Sequence, residues 1–285
     1  MMNIYKSTSG ARAIQDRYVE VLKRWPVASE HLRVPTRQGE TFVIASGPPN
    51  APPVLLFQGS GANSALWMKD VPEWAAHFRV FAVDLIGEPG LSAPSRPPLQ
   101  SDAYALWLDD VMHGLSLTRA SLVGVSLGGW LALDYATRRP ERVERVALLC
   151  PSGVGRQKVG VFFRILPLLL LGAWGRRRVM RMLAGATPAN PPAIDPQVAS
   201  LVSLIQKHFR PRRGRIPVLS DEALRRLSMP VMLVVGGCDV FLDSAGSKRR
   251  LEAAASRVTV RFLPEAGHLL PAQTRPILEF LCGSA

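Results

Sequence analysis

The feature that most constrains the fold of this chain is a repeated alternation of short apolar runs with segments of helical periodicity. Six runs have this character, namely PPVLLF, RVFAVD, ASLVGVS, VERVALLC, MPVMLVVG and RVTVRFL. PPVLLF is apolar along its whole length, which is typical of a strand covered on both faces. Repeated strand and helix units predict a mostly parallel central sheet flanked by helices, which places the chain in the α/β class.

Two further elements precede the alternation. The segment ARAIQDRYVEVLKRW has apolar residues at helical spacing and predicts an N-terminal helix. The following segment, HLRVPTRQGETFVIASGP, predicts a hairpin whose two extended runs meet at Gln38 and Gly39.

The alternation stops between Ser152 and Ser228, where the sequence is broken by prolines, rich in arginine and helical in character. The stretch PANPPAIDP predicts an extended connection within it. Because strand patterns resume afterwards, we interpret residues 152–228 as a helical cap inserted into one domain. Residues 1–151 and 229–285 then form the two parts of the core.

The charge balance raises the question of an anionic partner. The 285 residues carry a net charge of +13 and have a sequence pI near 10.6. Much of the excess arginine lies in two clusters, GRRRVMR and RPRRGR, and no nucleic-acid-binding motif accompanies them. We therefore interpret the clusters as a solvated basic face and expect no nucleic-acid partner, with an anionic lipid or nucleic-acid partner as the alternative.

Composition also indicates the cellular compartment in which the protein is expected. Three scattered cysteines are too few for a disulfide framework or a zinc site, and they suit a reducing environment. The first thirty residues carry charges throughout and do not resemble a secretory signal, so we expect a cytoplasmic location. The stretch VGVFFRILPLLLLGAWG is interrupted by Arg164 and Pro167 and falls short of the roughly 18 to 20 apolar residues that a membrane span requires. It predicts a buried or interfacial helix rather than an integral membrane segment.

One serine lies between two glycines where an apolar run gives way to helical spacing, in the sequence GVSLG around Ser126. A tight turn from strand to helix exposes a serine hydroxyl, and glycines at positions 124 and 128 allow the helix to pass close to the neighbouring strand. The segment lacks the glycine spacing of a dinucleotide-binding loop and the lysine of a phosphate-binding loop. We therefore predict that Ser126 is a nucleophile.

A serine nucleophile on this scaffold needs an acid and then a histidine, each after a later strand. Asp239 ends the run VMLVVGGCD, and His268 follows the run VTVRFLPEAG. Asp243, four residues further into the first loop, is the alternative acid. The strand RVALLCPSG offers no acid at its end. Asp84 precedes the serine in the chain, so we interpret it as a structural residue.

The negative oxygen formed during acyl transfer requires two backbone amides. The amide of Leu127, directly after the nucleophile, is the first candidate. The loop LLFQGSGANS supplies the second, for which we predict the Ser60 amide, with Gly61 as the alternative.

Together these motifs resemble the α/β-hydrolase fold family, in its lid-bearing serine esterase type. The resemblance rests on FQGSG, VDLIGEPGLS, GVSLGG, GGCD and EAGH, in that order, and runs from His31 to Leu281. It implies a helical lid over the active site, matching residues 152–228. Two positions depart from the family pattern: Gln58 precedes Gly59 where a histidine is usual, and the turn after the fourth strand reads GEPG.

The predicted activity is hydrolysis of a carboxylic ester or related acyl bond through an acyl-enzyme, with a Ser-His-Asp triad of Ser126, His268 and Asp239. The mechanism needs no metal or organic cofactor. We expect a small-molecule acyl substrate with an apolar acyl or alcohol part. Alternatives on the same fold are a carbon–carbon bond hydrolase, a lactonase or thioesterase, a cofactor-free haloperoxidase, and a non-catalytic binding protein.

Overall fold

The centre of the protein is one eight-stranded sheet. The computed structural model describes residues 4–158, 160–185, 195–212 and 214–283. Its strands are β1 Ser29–Val34, β2 Thr41–Ser46, β3 Pro53–Phe57, β4 Arg79–Val83, β5 Ala120–Val125, β6 Val143–Leu149, β7 Val231–Gly236 and β8 Val258–Leu263. They lie in the order β1-β2-β4-β3-β5-β6-β7-β8. The pairs β1–β2 and β2–β4 are antiparallel and all others are parallel, which confirms the predicted mostly parallel sheet.

Helices cover both faces of this sheet. They are α1 Thr8–Leu22, α2 Val71–Trp74, α3 Ala103–Gly114, α4 Leu127–Arg138, α5 Val161–Leu169, α6 Gly172–Ala184, α7 Pro196–His208, α8 Asp221–Leu224, α9 Ser244–Ala254 and α10 Thr274–Cys282. Short 3₁₀ turns occupy Ser64–Lys69 and Pro140–Arg142. The predicted hairpin is present, and its turn at Gly39 has a φ of 99° that favours glycine.

The core consists of two hydrophobic layers, one on each face of the sheet. Side chains alternate along a strand, so Leu55 and Phe57 of β3 enter one layer while Val54 and Leu56 enter the other. All four are completely buried. Burial on both faces explains why the inner strand β3 is a continuous apolar run.

One segment of helical periodicity does not form a single helix in the structure. The segment ALWMKDVPEWAAHF has helical periodicity, but it forms the 3₁₀ turn Ser64–Lys69 and then the single-turn helix α2. Pro72 lies in the first turn of α2. Proline has no backbone N–H and its ring clashes with a preceding helical turn, so a new helix begins at Val71, directly before the proline, and no helix continues through it.

Between β6 and β7 the chain forms α5, α6, α7 and α8, within the region predicted as a helical insertion; we call residues 152–228 the inserted segment. The apolar stretch at its start forms two helices, α5 and α6, instead of one. The predicted extended connection at 188–196 lies largely outside the described residues. Within the described residues, none of the helices combines the length and the apolar character that crossing a bilayer requires.

Residues near the N-terminus contact the C-terminal end of α7 in the inserted segment. Tyr5 pairs with Phe209 in a β-bridge, and their rings meet edge to face with centroids 6.3 Å apart. The Lys6 amide donates to the carbonyl of His208 at 2.8 Å. Helix α1 also packs along α7, so the N-terminal segment and α7 are held together by several contacts.

Candidate active site

Ser126 lies in a strained turn between β5 and α4. Its backbone has φ 52° and ψ −106°, a conformation that L-residues with a side chain rarely adopt. The glycines on either side permit this turn. A Cβ atom built on Gly124 would lie 2.3 Å from the Gly128 carbonyl oxygen, and one on Gly128 would lie 2.2 Å from the Phe57 carbonyl oxygen. The predicted strand–serine–helix turn is therefore present, and it is close-packed.

Helix α4 begins directly after the serine. Leu127 is its first residue, so the Leu127 amide has no partner within the helix, whereas the Trp130 amide donates to the Ser126 carbonyl at 3.0 Å. The N-terminal end of a helix carries partial positive charge. The Leu127 amide is thus placed where a negative oxygen next to Ser126 would be stabilised.

Asp239 and His268 are brought together by the loops after β7 and β8. The His268 Nδ1 atom lies 2.8 Å from the Asp239 Oδ2 atom. The other carboxylate oxygen of Asp239 accepts hydrogen bonds from the amides of Phe241 at 2.7 Å and Leu242 at 3.0 Å. Both carboxylate oxygens therefore have partners, and the acid is fixed in orientation.

The electrostatics favour an ionised Asp239. Its side chain is fully buried, and burial alone would raise its pKa, but the hydrogen bond and charge of His268 and the two loop amides lower the pKa below the ordinary value. The His268 side chain is only 14% exposed, and the Phe241 ring stands edge-on to it with centroids 5.1 Å apart. A buried carboxylate behind a partly accessible imidazole is the arrangement that orients a general base.

Asp243, the alternative acid, has another partner. Its side chain caps helix α9, with Oδ1 accepting from the Gly246 amide at 2.9 Å. The hydrogen bond that His268 donates is accepted by Asp239, the acid predicted first from the sequence.

The loop after β3 packs against Ser126. A Cβ atom on Gly59 would lie 3.6 Å from the Ser126 Cβ. Gln58, which stands where the family usually has a histidine, is completely buried. Its side-chain nitrogen donates to the Val83 carbonyl at 2.8 Å, and its oxygen accepts from the Leu85 amide at 2.9 Å. Gln58 therefore ties this loop to the end of β4.

Glu88 from the turn GEPG contacts the same loop. It is buried, and its Oε2 accepts from the Gly61 amide at 2.7 Å and lies 3.3 Å from the Ser60 hydroxyl. Because the Gly61 amide already donates to Glu88, the arrangement favours the Ser60 amide over Gly61 as the donor to an oxyanion. The Ser60 amide stays the candidate. In the sequence, GEPG is recognisable only as a departure from the family pattern, and nothing in it predicts this contact.

Asp84 is embedded in the scaffold. Its Oδ1 accepts from the Tyr18 hydroxyl at 2.9 Å and from the Ser64 hydroxyl at 2.7 Å, and its Oδ2 accepts from the Leu91 amide at 2.8 Å. The side chain is completely buried. These bonds join three segments of the core, in agreement with a structural role.

Cys150 is a residue near the acid that sequence reasoning passed over. It follows β6 directly, has φ 42° and is buried. Its sulfur, the Asp239 carboxylate and the His268 ring offer ligand atoms within 4.8 Å of one another. Burial and the neighbouring Asp239 charge raise the pKa of the thiol, however, and metal ligation requires the thiolate. The thiol therefore packs beside the acid as a neutral group, at a strand end where the sequence offered no carboxylate.

The inserted segment is bonded to both loops that carry these residues. The Lys158 ammonium donates to the Asp239 carbonyl at 2.8 Å. At the end of α6, the amides on either side of His268 donate to the inserted segment: Gly267 to Ala184 and Leu269 to Leu183, each at 2.9 Å. The positions of Asp239 and His268 thus depend on the insertion as well as on the sheet.

Comparison with known proteins agrees with this architecture. The carboxylesterase YbfK of Bacillus subtilis (strain 168) is 31% identical over 289 residues, which cover 96% of this chain and 95% of the relative. The uncharacterized carboxylesterase nap of the same organism is 30% identical over 267 residues, covering 93% and 88%.

Solved structures give the same result. The crystal structures of carboxylesterase CesB (YbfK) and of naproxen esterase (carboxylesterase NP), both from B. subtilis, each match with a TM-score of 0.82. Their sequences are 28% and 26% identical to this protein. Each match covers 98% of this chain, and the matches cover 100% of the first solved chain and 99% of the second. The model of the alpha/beta hydrolase family matches residues 54–281. With most of its length matched by that model and by these relatives, the chain belongs to the alpha/beta hydrolase family.

Proposed function

We propose that this protein is a serine carboxylesterase whose triad is Ser126, His268 and Asp239. Relatives of 30 and 31% identity over most of the chain are carboxylesterases, and the protein is a hydrolase that acts on ester bonds. The observation that carries the residue assignment is the 2.8 Å bond between His268 and a buried Asp239, on the sheet edge where the Ser126 turn also lies.

In the first step, Ser126 Oγ attacks the carbonyl carbon of the ester while His268 Nε2 takes the hydroxyl proton. The carbonyl π electrons move to the oxygen, which the amides of Leu127 and Ser60 stabilise. When the tetrahedral intermediate collapses, the bond to the alcohol breaks and His268 returns the proton to the departing alkoxide. Asp239 stabilises the imidazolium that exists between these transfers.

In the second step, water replaces the alcohol. His268 takes a proton from the water as its oxygen attacks the acyl carbon, and the same two amides stabilise the new oxyanion. Collapse breaks the bond to Ser126 Oγ, which regains its proton from His268. The products are the carboxylic acid, the alcohol and the unmodified enzyme.

The inserted segment serves in this proposal as a cap that selects the substrate. Support comes from its bonds to the loops of Asp239 and His268. The ring of Phe241 beside His268 provides an apolar surface next to the reacting centre. We expect the preferred substrates to be small esters with an apolar acyl or alcohol part.

A fluorophosphonate probe tests the nucleophile, because it reacts with an activated serine. Wild-type protein should be labelled and should hydrolyse p-nitrophenyl esters, whereas S126A should lose both properties. Ser152, a buried serine close to the same turn, supplies the matched control, and S152A should retain labelling. Labelling that persists in S126A would reject Ser126 as the nucleophile. A series of esters of increasing acyl length tests the substrate class, and the proposal expects kcat/KM to rise with chain length from acetate.

A further inference from the structure

Helix α5 exposes an apolar stripe. Phe163, Leu166 and Leu170 recur at the i, i+3, i+7 spacing that places side chains on one helical face, and they are 82%, 66% and 84% exposed. Large apolar side chains exposed to this degree are ordinary when scattered singly, but a continuous stripe marks an interaction surface.

Helix α6 follows α5 in the chain, packs against it and adds positive charge. It begins beside Leu171 and Trp174, which are 56% and 55% exposed. Trp174 shares one helical face with Arg177, Arg178 and Arg181, at i, i+3, i+4 and i+7, and all three arginines are exposed. We call these eight residues the basic–apolar face: Phe163, Leu166, Leu170, Leu171, Trp174, Arg177, Arg178 and Arg181.

The surrounding sequence does not offset that charge. Residues 160–185 contain five arginines and no acidic residue. None of the ion pairs found in the described part of the chain involves Arg177, Arg178 or Arg181. The face therefore combines an uncovered apolar stripe with a row of cations whose charge is not neutralised by neighbouring carboxylates.

We propose that the basic–apolar face docks on the surface of an anionic lipid bilayer. Trp, Phe and Leu side chains insert at the boundary between headgroups and acyl chains, and arginines beside them bind lipid phosphates. Neither helix is long enough to span a bilayer, so this is attachment at the surface. A second copy of the chain fits less well, because an isologous contact uses the same surface on both copies and residues 160–185 offer no carboxylate to pair with the arginines.

The position of the face gives the docking a consequence for catalysis. Helix α6 begins in the basic–apolar face and ends at Ala184, whose carbonyl accepts the hydrogen bond from Gly267 beside His268. Docking through α6 would bring the surface of the lipid layer close to the loop of the proposed base. The lipid-docking inference itself does not depend on the proposed triad, and S126A should bind vesicles as the wild-type protein does.

Sedimentation with vesicles tests the docking. The full-length protein should sediment with vesicles of phosphatidylcholine mixed with phosphatidylglycerol, should bind vesicles of phosphatidylcholine alone far less, and should be released by salt. Changing Arg177, Arg178 and Arg181 to glutamine should lower the partition coefficient by about fivefold per arginine, or about a hundredfold together. The matched control changes the exposed residues Arg225, Arg226 and Arg249 to glutamine, which lowers the net charge equally away from α6.

Tryptophan fluorescence provides a second readout. All six tryptophans lie in the described residues, and among them Trp174 alone is exposed. Adding the anionic vesicles should shift the emission to shorter wavelength as Trp174 leaves water, and W174F should show no shift. Replacing Phe163 and Leu170 with serine should weaken binding even though the net charge is unchanged.

Three results would overturn the proposal. Equal loss of vesicle binding in the two triple arginine variants would show that only total charge matters. Absence of binding to anionic vesicles would show that an anionic bilayer is not the partner of this face. A dimer in analytical ultracentrifugation without lipid, abolished by the serine variants at Phe163 and Leu170, would assign the face to a second copy. Thermal melting checks that each variant is folded, and the melting temperature should be unchanged in the arginine variants.

Discussion

Asp239 and Asp243 stand four residues apart in one loop, yet their carboxylates have different partners. Asp239 bonds His268, while Asp243 caps helix α9. Asparagine keeps the shape of aspartate and caps a helix about as well, so the same substitution separates a catalytic role from a capping role.

We expect D239N to lower kcat by about 10³ to 10⁴, because an amide neither stabilises the imidazolium nor holds the ring in the required tautomer. D243N should leave kcat within about twofold and the free energy of unfolding within about 0.5 kcal/mol, since asparagine and aspartate rank alike as caps. Steady-state kinetics and thermal melting of both variants check this. Large loss of kcat in D243N with normal turnover in D239N would reverse the assignment.

Glu88 offers a prediction about the oxyanion loop. Its carboxylate fixes the Gly61 amide, and the preceding peptide carries the candidate Ser60 amide. E88A removes the acceptor and should lower kcat by about tenfold or more, a fraction of the loss expected when an oxyanion donor is removed outright. E88Q keeps an acceptor oxygen, so its kcat should stay within a few-fold of the wild-type value. In both variants KM should change little. A loss in E88Q equal to that in E88A would contradict this role.

The charge of Glu88 also predicts a dependence of stability on pH. Burial raises its pKa above the ordinary glutamate value of 4.5, although the Gly61 amide, Arg96 and Arg212 act in the opposite direction. The folded protein therefore holds this proton more tightly than the unfolded chain, and stability is lost as the pH rises from 4.5 through the folded pKa. Since glutamine cannot ionise, E88Q should gain thermal stability relative to wild type at neutral pH and not below 4.5. Melting curves across this range measure it, and a constant difference at all pH values would count against it.

At the scale of elements, the close approach of α4 to β3 depends on glycine. A methyl group at Gly128 would meet the Phe57 carbonyl oxygen at 2.2 Å, and backbone atoms cannot move aside as a flexible side chain would. G128A should displace the helix that carries the Leu127 amide, lowering the free energy of unfolding by about 2 kcal/mol or more and kcat by about a hundredfold. G160A is the control, because no atom lies within 4 Å of its added Cβ. Chemical denaturation and kinetics distinguish the two, and wild-type behaviour of G128A would refute the packing argument.

The elements predicted best from the sequence are those whose pattern comes from burial. Apolar runs predicted the inner parallel strands, and the segments after β5, β7 and β8 hold Ser126, Asp239 and His268, the residues that chain order predicted for the candidate site. The contact of Glu88 with the oxyanion loop could not be predicted, because it joins two loops that only the sheet order brings together. The exposed face of α5 was also not foreseen. An apolar sequence there predicted a buried or interfacial helix, and periodicity alone does not show which face is covered.

For the whole molecule, the junction of the N-terminus with α7 predicts coupled behaviour of distant segments. Tyr5 is buried against Phe209, so Y5A should cost about 3 kcal/mol of unfolding free energy. Hydrogen exchange should accelerate in both α1 and α7, while the amides of β5 stay protected because they lie in the centre of the sheet. V19A, on the exposed side of α1, is the matched control and should leave exchange unchanged. Acceleration confined to α1 would mean that α7 is held by other contacts.

The same junction can form only late in the synthesis of the chain. The Lys6 side chain donates to the carbonyl of Lys207, which is 201 residues later in the chain. At about 5 to 20 residues per second, roughly 10 to 40 seconds separate the translation of these two positions. Throughout that interval the side of α1 that will meet α7 has no partner, and it is open to proteases and to other nascent chains. The ribosome therefore sets the time at which the N-terminus becomes protected, and slow translation of the inserted segment would lengthen that exposure.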